Sequence, residues 1–428
     1  MRILCFHTKN LILAVVLIIL AGMTFQSCSK KSKGFSATEG LNYDDSQSLF
    51  YPLSTIYHHS EDSSTVIFHI ESKDLLYSRP KGTGPFKAKI EVEFKLVAVD
   101  TKAIADSGVF QFEDVLSSNE NKYVQNIFKV KNPIGLFDLQ LHFKDVQRGF
   151  IYHQTIKSDK LSQFSSQNYL LYNKTKKLYY TQSATLPEDS IVVFSDRNKE
   201  FSDIYVMHYT SEIKLPPAPF SSTDPELPIL SESEVSVLKW TDSLVFHGYS
   251  GLFLLTADTT LQEGKSFFSV NKGFPRVRKQ DQLFQPLRYL TTKAEYDNFT
   301  KTKYSKEKVD QFWLESSGDK TKAKDLISIY YSRVQEANKY FSTYTEGWRT
   351  DRGMIHLIFG HPSRITKTDD GEIWVYGEDN SIASLQFRFV KTFSPWSDNV
   401  YLLNRDPLFR SHWERMVSSW RSGRIYHY

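Results

Sequence analysis

Phe86-Lys87-Ala88-Lys89-Ile90-Glu91-Val92-Glu93-Phe94-Lys95-Leu96 sets an apolar residue at every second position and a charged one between each pair. That period belongs to a β-strand with one face buried and the other in water. The same texture extends from about 40 to 155. Thr65 to Ile70, Tyr123 to Val130 and Leu136 to Phe143 are further strand candidates, separated by turns rich in Asp, Asn, Gly and Ser. An immunoglobulin-like β-sandwich is the economical expectation.

Outward from there, a second β-rich block runs from about 160 to 280. Its candidate strands are Tyr169 to Tyr172, Ser190 to Phe194, Ile204 to Tyr209, Ser236 to Trp240, Leu244 to Phe246 and Leu252 to Leu255. The spacing fits both a second sandwich and a continuation of the first. Leu215-Pro216-Pro217-Ala218-Pro219, continuing to Pro225 and Pro228, has fixed φ angles and missing donors. It is expected to be an extended surface loop.

Helical periodicity begins after about 290. Leu326, Ile329, Tyr330, Val334, Ala337 and Phe341 fall on one stripe of a long amphipathic helix, and a shorter helix carries Val309, Phe312 and Trp313. Strands are then expected at Ile355 to Phe359, Glu372 to Tyr376 and Leu385 to Val390, with a last helix over His412 to Trp420. The fold class is therefore multidomain β plus α+β: a signal segment 1–27, a tether 28–40, a β-sandwich 41–158, a second β-rich domain 159–282 and an α+β domain 283–428.

The α+β domain carries Gly347-Trp348-Arg349-Thr350-Asp351-Arg352-Gly353, then an apolar run closed by Gly360-His361-Pro362, then Trp374-Val375-Tyr376. These residues resemble the GWxTD-domain lipoproteins of Bacteroidota. The resemblance implies an envelope lipoprotein and supplies no catalytic residue set. The residues themselves suggest a structural bracket built from Gly347, Trp348, Thr350, Asp351, Arg352, Gly353, Gly360, Pro362, Trp374 and Tyr376. In it, Gly347 ends the preceding helix through a positive φ. Thr350 and Asp351 cap backbone donors, Arg349 or Arg352 pairs bidentately with a carboxylate, and Trp348 is buried. The functional counterpart is a pocket with Trp348 as platform and the arginines as anion anchors.

Asp351, His356 and His361 would supply a metal site or an acid-base pair if they converged. No HExxH-type spacing places them together, so a solvent-facing strand histidine and a turn histidine are expected, with no metal and no catalytic set. Gly264-Lys265-Ser266 lacks the first glycine of a phosphate loop, and Gly248-Tyr249-Ser250-Gly251 is one residue short of a nucleophile elbow. Six of seven tryptophans lie between 313 and 420. Most are expected in the core, while Trp396, Trp420 and Arg421 are the candidate partner contacts.

The N-terminus suggests the compartment. Arg2 and Lys9 precede an apolar stretch from Leu11 to Ala21, followed by Ser27-Cys28, as in a secretory signal with a lipid-accepting cysteine. Cys5 and Cys28 are the two cysteines. Removal of residues 1–27 leaves one, so internal disulfides and Cys-based metal sites are excluded. Ser29-Lys30-Lys31-Ser32-Lys33-Gly34 is a basic tether suited to anionic headgroups. Loss of Arg2 and Lys9 lowers the net charge from +4 to +2, which gives no reason to invoke nucleic acid. The expectation is a non-enzymatic scaffold or accessory subunit on the periplasmic face of the outer membrane, without a cofactor beyond lipid on Cys28 and with other envelope proteins as partners. The rival is an envelope hydrolase or glycan-binding protein with a site near Asp351, His356 and His361.

Overall fold

Alternation at one stretch becomes, in three dimensions, a pair of facing sheets. The structure is a computed structural model and describes residues 52–425 except 80–83, 117–120, 199–202, 241–242, 248–249, 271–272, 278, 301–305, 369 and 379–383. The signal segment 1–27, Cys28 and the tether 28–40 lie outside the described residues. All described residues fall within one compact unit.

The first seven strands are β1 (Leu53–His58), β2 (Ser63–Glu71), β3 (Lys87–Ala98), β4 (Ile104–Val115), β5 (Tyr123–Lys131), β6 (Leu136–Asp145) and β7 (Phe150–Asp159). They form two antiparallel sheets, ordered β1-β2-β5 and β4-β3-β6-β7. Ala88, Ile90, Val92, Phe94 and Leu96 of β3 are buried and meet Val66, Phe68, Phe128 and Phe143 in one core. The intervening charged residues stay outside, where Lys87 pairs with Glu113 and Lys95 with Glu93. Such exposed pairs add little stability, so the buried face holds this sandwich. β1, β4 and β7 were not among the predicted strands. Asp106-Ser107-Gly108 breaks the β4 pattern, and Gly108 is needed because a β-carbon there would sit 2.9 Å from the Phe94 ring.

The next strands are β8 (Leu170–Asn173), β9 (Leu178–Tyr179), β10 (Ala184–Thr185), β11 (Ser190–Phe194), β12 (Asp203–Tyr209), β13 (Ser233–Lys239), β14 (Leu244–His247), β15 (Gly251–Thr256) and β16 (Lys265–Ser269). They make a five-stranded sheet, β10-β16-β15-β12-β13, and a four-stranded sheet, β14-β11-β8-β9. The two sheets face each other across Ile191, Val193, Ile204, Val206, Phe253, Leu255 and Phe267. The block is thus a second sandwich.

Its five-stranded sheet is covered on the other face too. Met207, Tyr209, Leu252, Leu254 and Phe268 pack there with Tyr344, Trp396 and Val400 of the C-terminal region. Burial on both faces explains why β15 reads Leu252-Phe253-Leu254-Leu255 without alternation.

The C-terminal region holds α1 (Gln280–Phe284), α2 (Lys293–Thr300), α3 (Lys306–Ser317), α4 (Lys320–Tyr340), α5 (Asp351–Phe359) and α6 (Phe409–Arg421). Its sheet is β17 (Arg364–Thr368), β18 (Gly371–Tyr376), β19 (Leu385–Lys391) and β20 (Tyr401–Leu403), joined antiparallel in chain order. Asp319 caps α4 by accepting from the Thr321 and Lys322 amides, and the predicted stripe of Leu326, Ile329, Tyr330, Val334 and Ala337 is buried. The expected strand Ile355 to Phe359 is instead the end of α5. All nine residues of that helix are buried, so no polar face marks its turn. The multidomain β plus α+β class holds. The first sandwich is also tied to the α+β region: Lys339 of α4 lies 2.7 Å from Glu71 and 3.3 Å from Asp74, with all three side chains largely buried.

Candidate functional site

The corner that joins α4 to α5 is set by close backbone approach. α4 ends at Phe341, and the chain enters α5 through a single 3-10 turn, Gly347–Arg349. A β-carbon on Gly347 would lie 1.7 Å from the Ala337 carbonyl oxygen, and one on Gly353 would lie 1.9 Å from that of Gly347. A side chain at Gly347 would force the turn off α4, and one at Gly353 would force α5 off the turn. The expected role of Gly347 as a positive-φ helix terminator is corrected. Gly360, at φ 82°, takes the left-handed conformation, and it does so at the end of α5.

Each remaining residue of the block has a protein partner. The Thr350 hydroxyl accepts the Gly353 amide as the N-cap of α5 and donates to the Gly347 carbonyl at 2.8 Å. Trp348 is buried edge-on against Tyr289, whose hydroxyl donates to the Trp348 carbonyl at 3.1 Å. Arg352 donates to the Asn399 carbonyl and side chain and lies 3.9 Å from the Tyr401 ring. It reaches Glu372 only at 3.6 Å, and Arg349 reaches Glu346 only at 3.7 Å. The bidentate partner in this corner is Arg405, which grips both oxygens of Asp351. Asp351 also accepts the Leu403 amide at 2.8 Å. It therefore secures β20 instead of capping its own helix.

The same residues hold the proline-rich loop. Arg405 donates to the Pro217 carbonyl at 3.2 Å, Arg349 donates to that of Ile213, and the Asp406 amide donates to that of Pro219. The loop is extended, as predicted, but it is strapped to the C-terminal domain. Trp396, expected at the surface, is fully buried, and its indole N–H donates to the Pro228 carbonyl at 3.1 Å. Trp420 is also buried, donating to the Ile358 carbonyl at 3.0 Å. Arg421 is partly exposed but paired with Glu295 at 2.7 Å. The loop position of Trp396 was misleading because the loop itself lies between the second sandwich and the helices.

Gly360 and Pro362 shape the turn after α5. A β-carbon on Gly360 would meet the Arg333 guanidinium at 2.6 Å. Arg333 is buried and donates to the Leu357 and Ile358 carbonyls, so it neutralises the C-terminal end of α5. The Tyr376 hydroxyl donates to the Gly360 carbonyl at 2.9 Å, and Trp374 donates to Glu372 at 3.0 Å.

This turn brings together two histidines that sequence spacing left apart. His356, in the last turn of α5, places Nε2 2.8 Å from Oε2 of Glu336 on α4. His361 places Nε2 3.2 Å from the same oxygen, and the two rings are 4.8 Å apart, edge to face. The third member of the cluster is therefore Glu336, and Asp351 is committed to Arg405. Burial favours the neutral form of His356 and pulls its pKa down to about 4, partly offset by the bond to Glu336. Burial works to raise Glu336, but the histidines outweigh it and hold the carboxyl at about 2. Glu336 and His356 are buried, while His361 is 39% exposed at the mouth. Among the described residues this is the group of His, Cys, Asp and Glu whose donor atoms converge, all within 4.8 Å of one another. Glu336 was missed because it sits on the buried side of α4. Its i, i+3 relation to Arg333 was the available signal of an unusual polar face.

A separate cavity of about 290 Å³ lies beside the loop, lined by Tyr209, Glu212, Ile213, Lys214, Glu226 and Pro228 among others. Lys214 and Glu226 pair across it at 2.8 Å.

The geometry can be set beside known proteins. Comparison with curated proteins found no match. Among solved structures, a Bacteroides uniformis β-glucuronidase 2 bound to a cyclophellitol-derived aziridine is similar over 25% of this chain and 13% of that one, at 13% identity and a TM-score of 0.17. A calcium-binding mutant of the same enzyme is similar over 32% and 15%, at 10% identity and the same TM-score. The chain thus spans less than a sixth of these enzymes, and a likeness of this size carries no argument. Residues 251–422 match the model of the GWxTD domain family, starting at β15 and ending just past α6. The chain is a GWxTD domain-containing protein.

Proposed function

We propose that this chain is a lipid-anchored, periplasm-facing scaffold or accessory subunit of an outer-membrane complex, and that it acts without catalysis. The observation that carries the reading is strand β13. It ends the five-stranded sheet, with β12 as its strand neighbour among the described residues. Glu234 to Lys239 are all exposed, including Val235 at 50% and Val237 at 56%. An edge strand with exposed apolar residues and no second strand partner among the described residues is a template for strand addition by a second protein.

Support also comes from the setting of that edge. β12 packs on both faces, through Ile204 and Val206 on one and Met207 and Tyr209 on the other, so β13 is paired to a strand held from two sides. The acyl anchor rests on Cys28 and the basic residues after it, and the same tether supports the periplasmic placement. The catalytic rival needed Asp351 beside His356 and His361, and Asp351 is held by Arg405.

The test is affinity purification of the tagged, lipidated protein from gently solubilised outer membranes, beside Cys28→Ala and a Val235→Glu/Val237→Glu pair. A stoichiometric envelope partner that disappears with the paired substitution is the expected result. Recovery of the protein alone, or of a partner indifferent to both variants, contradicts the reading.

A further inference from the structure

The Glu336–His356–His361 cluster has an arrangement that a purely structural hydrogen-bond network does not need. A carboxylate offers about four acceptor sites over two oxygens, and a network that only ties helices together would use both. Here both imidazole Nε2 atoms converge on Oε2, at 2.8 and 3.2 Å. Oε1 is buried and has no hydrogen-bond partner among the described residues. Leaving such an atom unpaired is unfavourable, and it lies in the same cluster as two nitrogen donors.

We propose that these three side chains bind a divalent transition-metal ion of the zinc class, with Glu336, His356 and His361 as ligands. Ligands at about 2.0–2.2 Å from a tetrahedral ion stand roughly 3.3 Å apart. The N···O separations of 2.8 and 3.2 Å need only small outward shifts to admit one, and all three donor atoms lie within 4.8 Å of one another. Two imidazoles and one carboxylate select borderline ions such as zinc over calcium or magnesium, which take oxygen donors. Exposure of His361 leaves the fourth coordination position toward solvent, where water or a donor from a partner protein would complete the shell.

The surrounding fold prepares the site. α4 supplies Glu336 and α5 supplies His356, and the two helices are locked by the glycine contact at residues 347 and 353. Gly360 then turns His361 back over the helix end. Phe341 lies 5.6 Å from His356 and closes one side with an apolar wall. An ion here would clamp the two helices and the following turn together.

The full chain, purified in detergent without a polyhistidine tag, is titrated with Zn²⁺ by calorimetry and with Co²⁺ by visible absorption. His361→Ala and Glu336→Gln are run in parallel, with Ca²⁺ and Mg²⁺ as further probes. His361 is at the surface, so its removal leaves the fold intact, and circular dichroism checks this. One Zn²⁺ per chain, a cobalt d–d spectrum, and a loss of affinity in both variants beyond the ~100-fold upper end of an outer-shell change are expected. Absence of saturable Zn²⁺ binding, or binding unchanged in His361→Ala, overturns the assignment. Neither outcome bears on the β13 edge, so this site and the scaffold reading fail independently.

Discussion

β3 and β15 are both strands of sandwiches, yet they differ in how many sides they bury. β3 hides one face and keeps Lys89, Glu91, Glu93 and Lys95 at or near the surface, whereas β15 is buried from Leu252 to Thr256. The first is a finished module whose outer face is water. The second is an interior wall, and the α+β region supplies its other side. This explains why the family match begins at residue 251, earlier than the domain start at 283 read from periodicity. The last strands of the second sandwich carry the surface on which the GWxTD domain is built.

The largest expected effect lies at the corner between α4 and α5. Gly347→Ala would drive a β-carbon into the Ala337 carbonyl, and a loss of more than about 4 kcal/mol is expected, among the largest effects of single substitutions. Denaturant unfolding, or failure of the variant to accumulate folded, measures it. Arg405→Ala leaves Asp351 buried and unpaired and frees the proline-rich strap, at an expected cost of about 3–5 kcal/mol.

A matched pair sharpens the contrast between the two sheets. Leu254→Ala, in the shared core, is expected to cost about 2–5 kcal/mol. Val109→Ala, on the outer face of β4 and 58% exposed, is expected to change stability by less than about 0.5 kcal/mol. Equal losses would mean that β15 has no second buried face.

Acid supplies the gentlest test. His58 is buried in the first sandwich with Nδ1 2.8 Å from the Ser64 hydroxyl. Burial, aided by Lys160, lowers its pKa from 6.5 to about 3. Between those values the unfolded chain binds the extra proton, so this contribution is complete above pH 6.5 and is lost as pH falls toward 3. Burial works to raise Glu71, but Lys339, Lys73 and Asn121 together hold it at about 2, which adds a loss of the same sign below pH 4.5. Thermal melts between pH 7 and 4 should show a smaller fall in Tm for His58→Gln than for the parent chain.

Legibility in the sequence followed the same division between one-sided and two-sided burial. β3 was plain because one wet face imposes period two, and α4 because one wet face imposes a period near 3.6. α5 reads as a strand because Met354 to Phe359 are buried all round, and the single polar residue there, His356, marks no wet face. Thr350 as N-cap and Gly360 at the far end were the signals that could have identified a helix. Trp396 was misplaced for a related reason: loop chemistry at Ser394-Pro395 says nothing about what lies over the loop. The Glu336 cluster was hidden because its members are 20 and 25 positions apart and only the folded corner brings them together.

The second sandwich and the GWxTD domain share one core. Hydrogen exchange of the full chain, compared with Trp396→Ala, tests it most directly. Trp396 contacts Tyr209 with ring centroids 5.9 Å apart across that core. Shared packing requires that protection falls together in β12, β15, β16 and β20, while β3 and β6 stay protected. Loss confined to the residues around 396, with β15 unaffected, would contradict it.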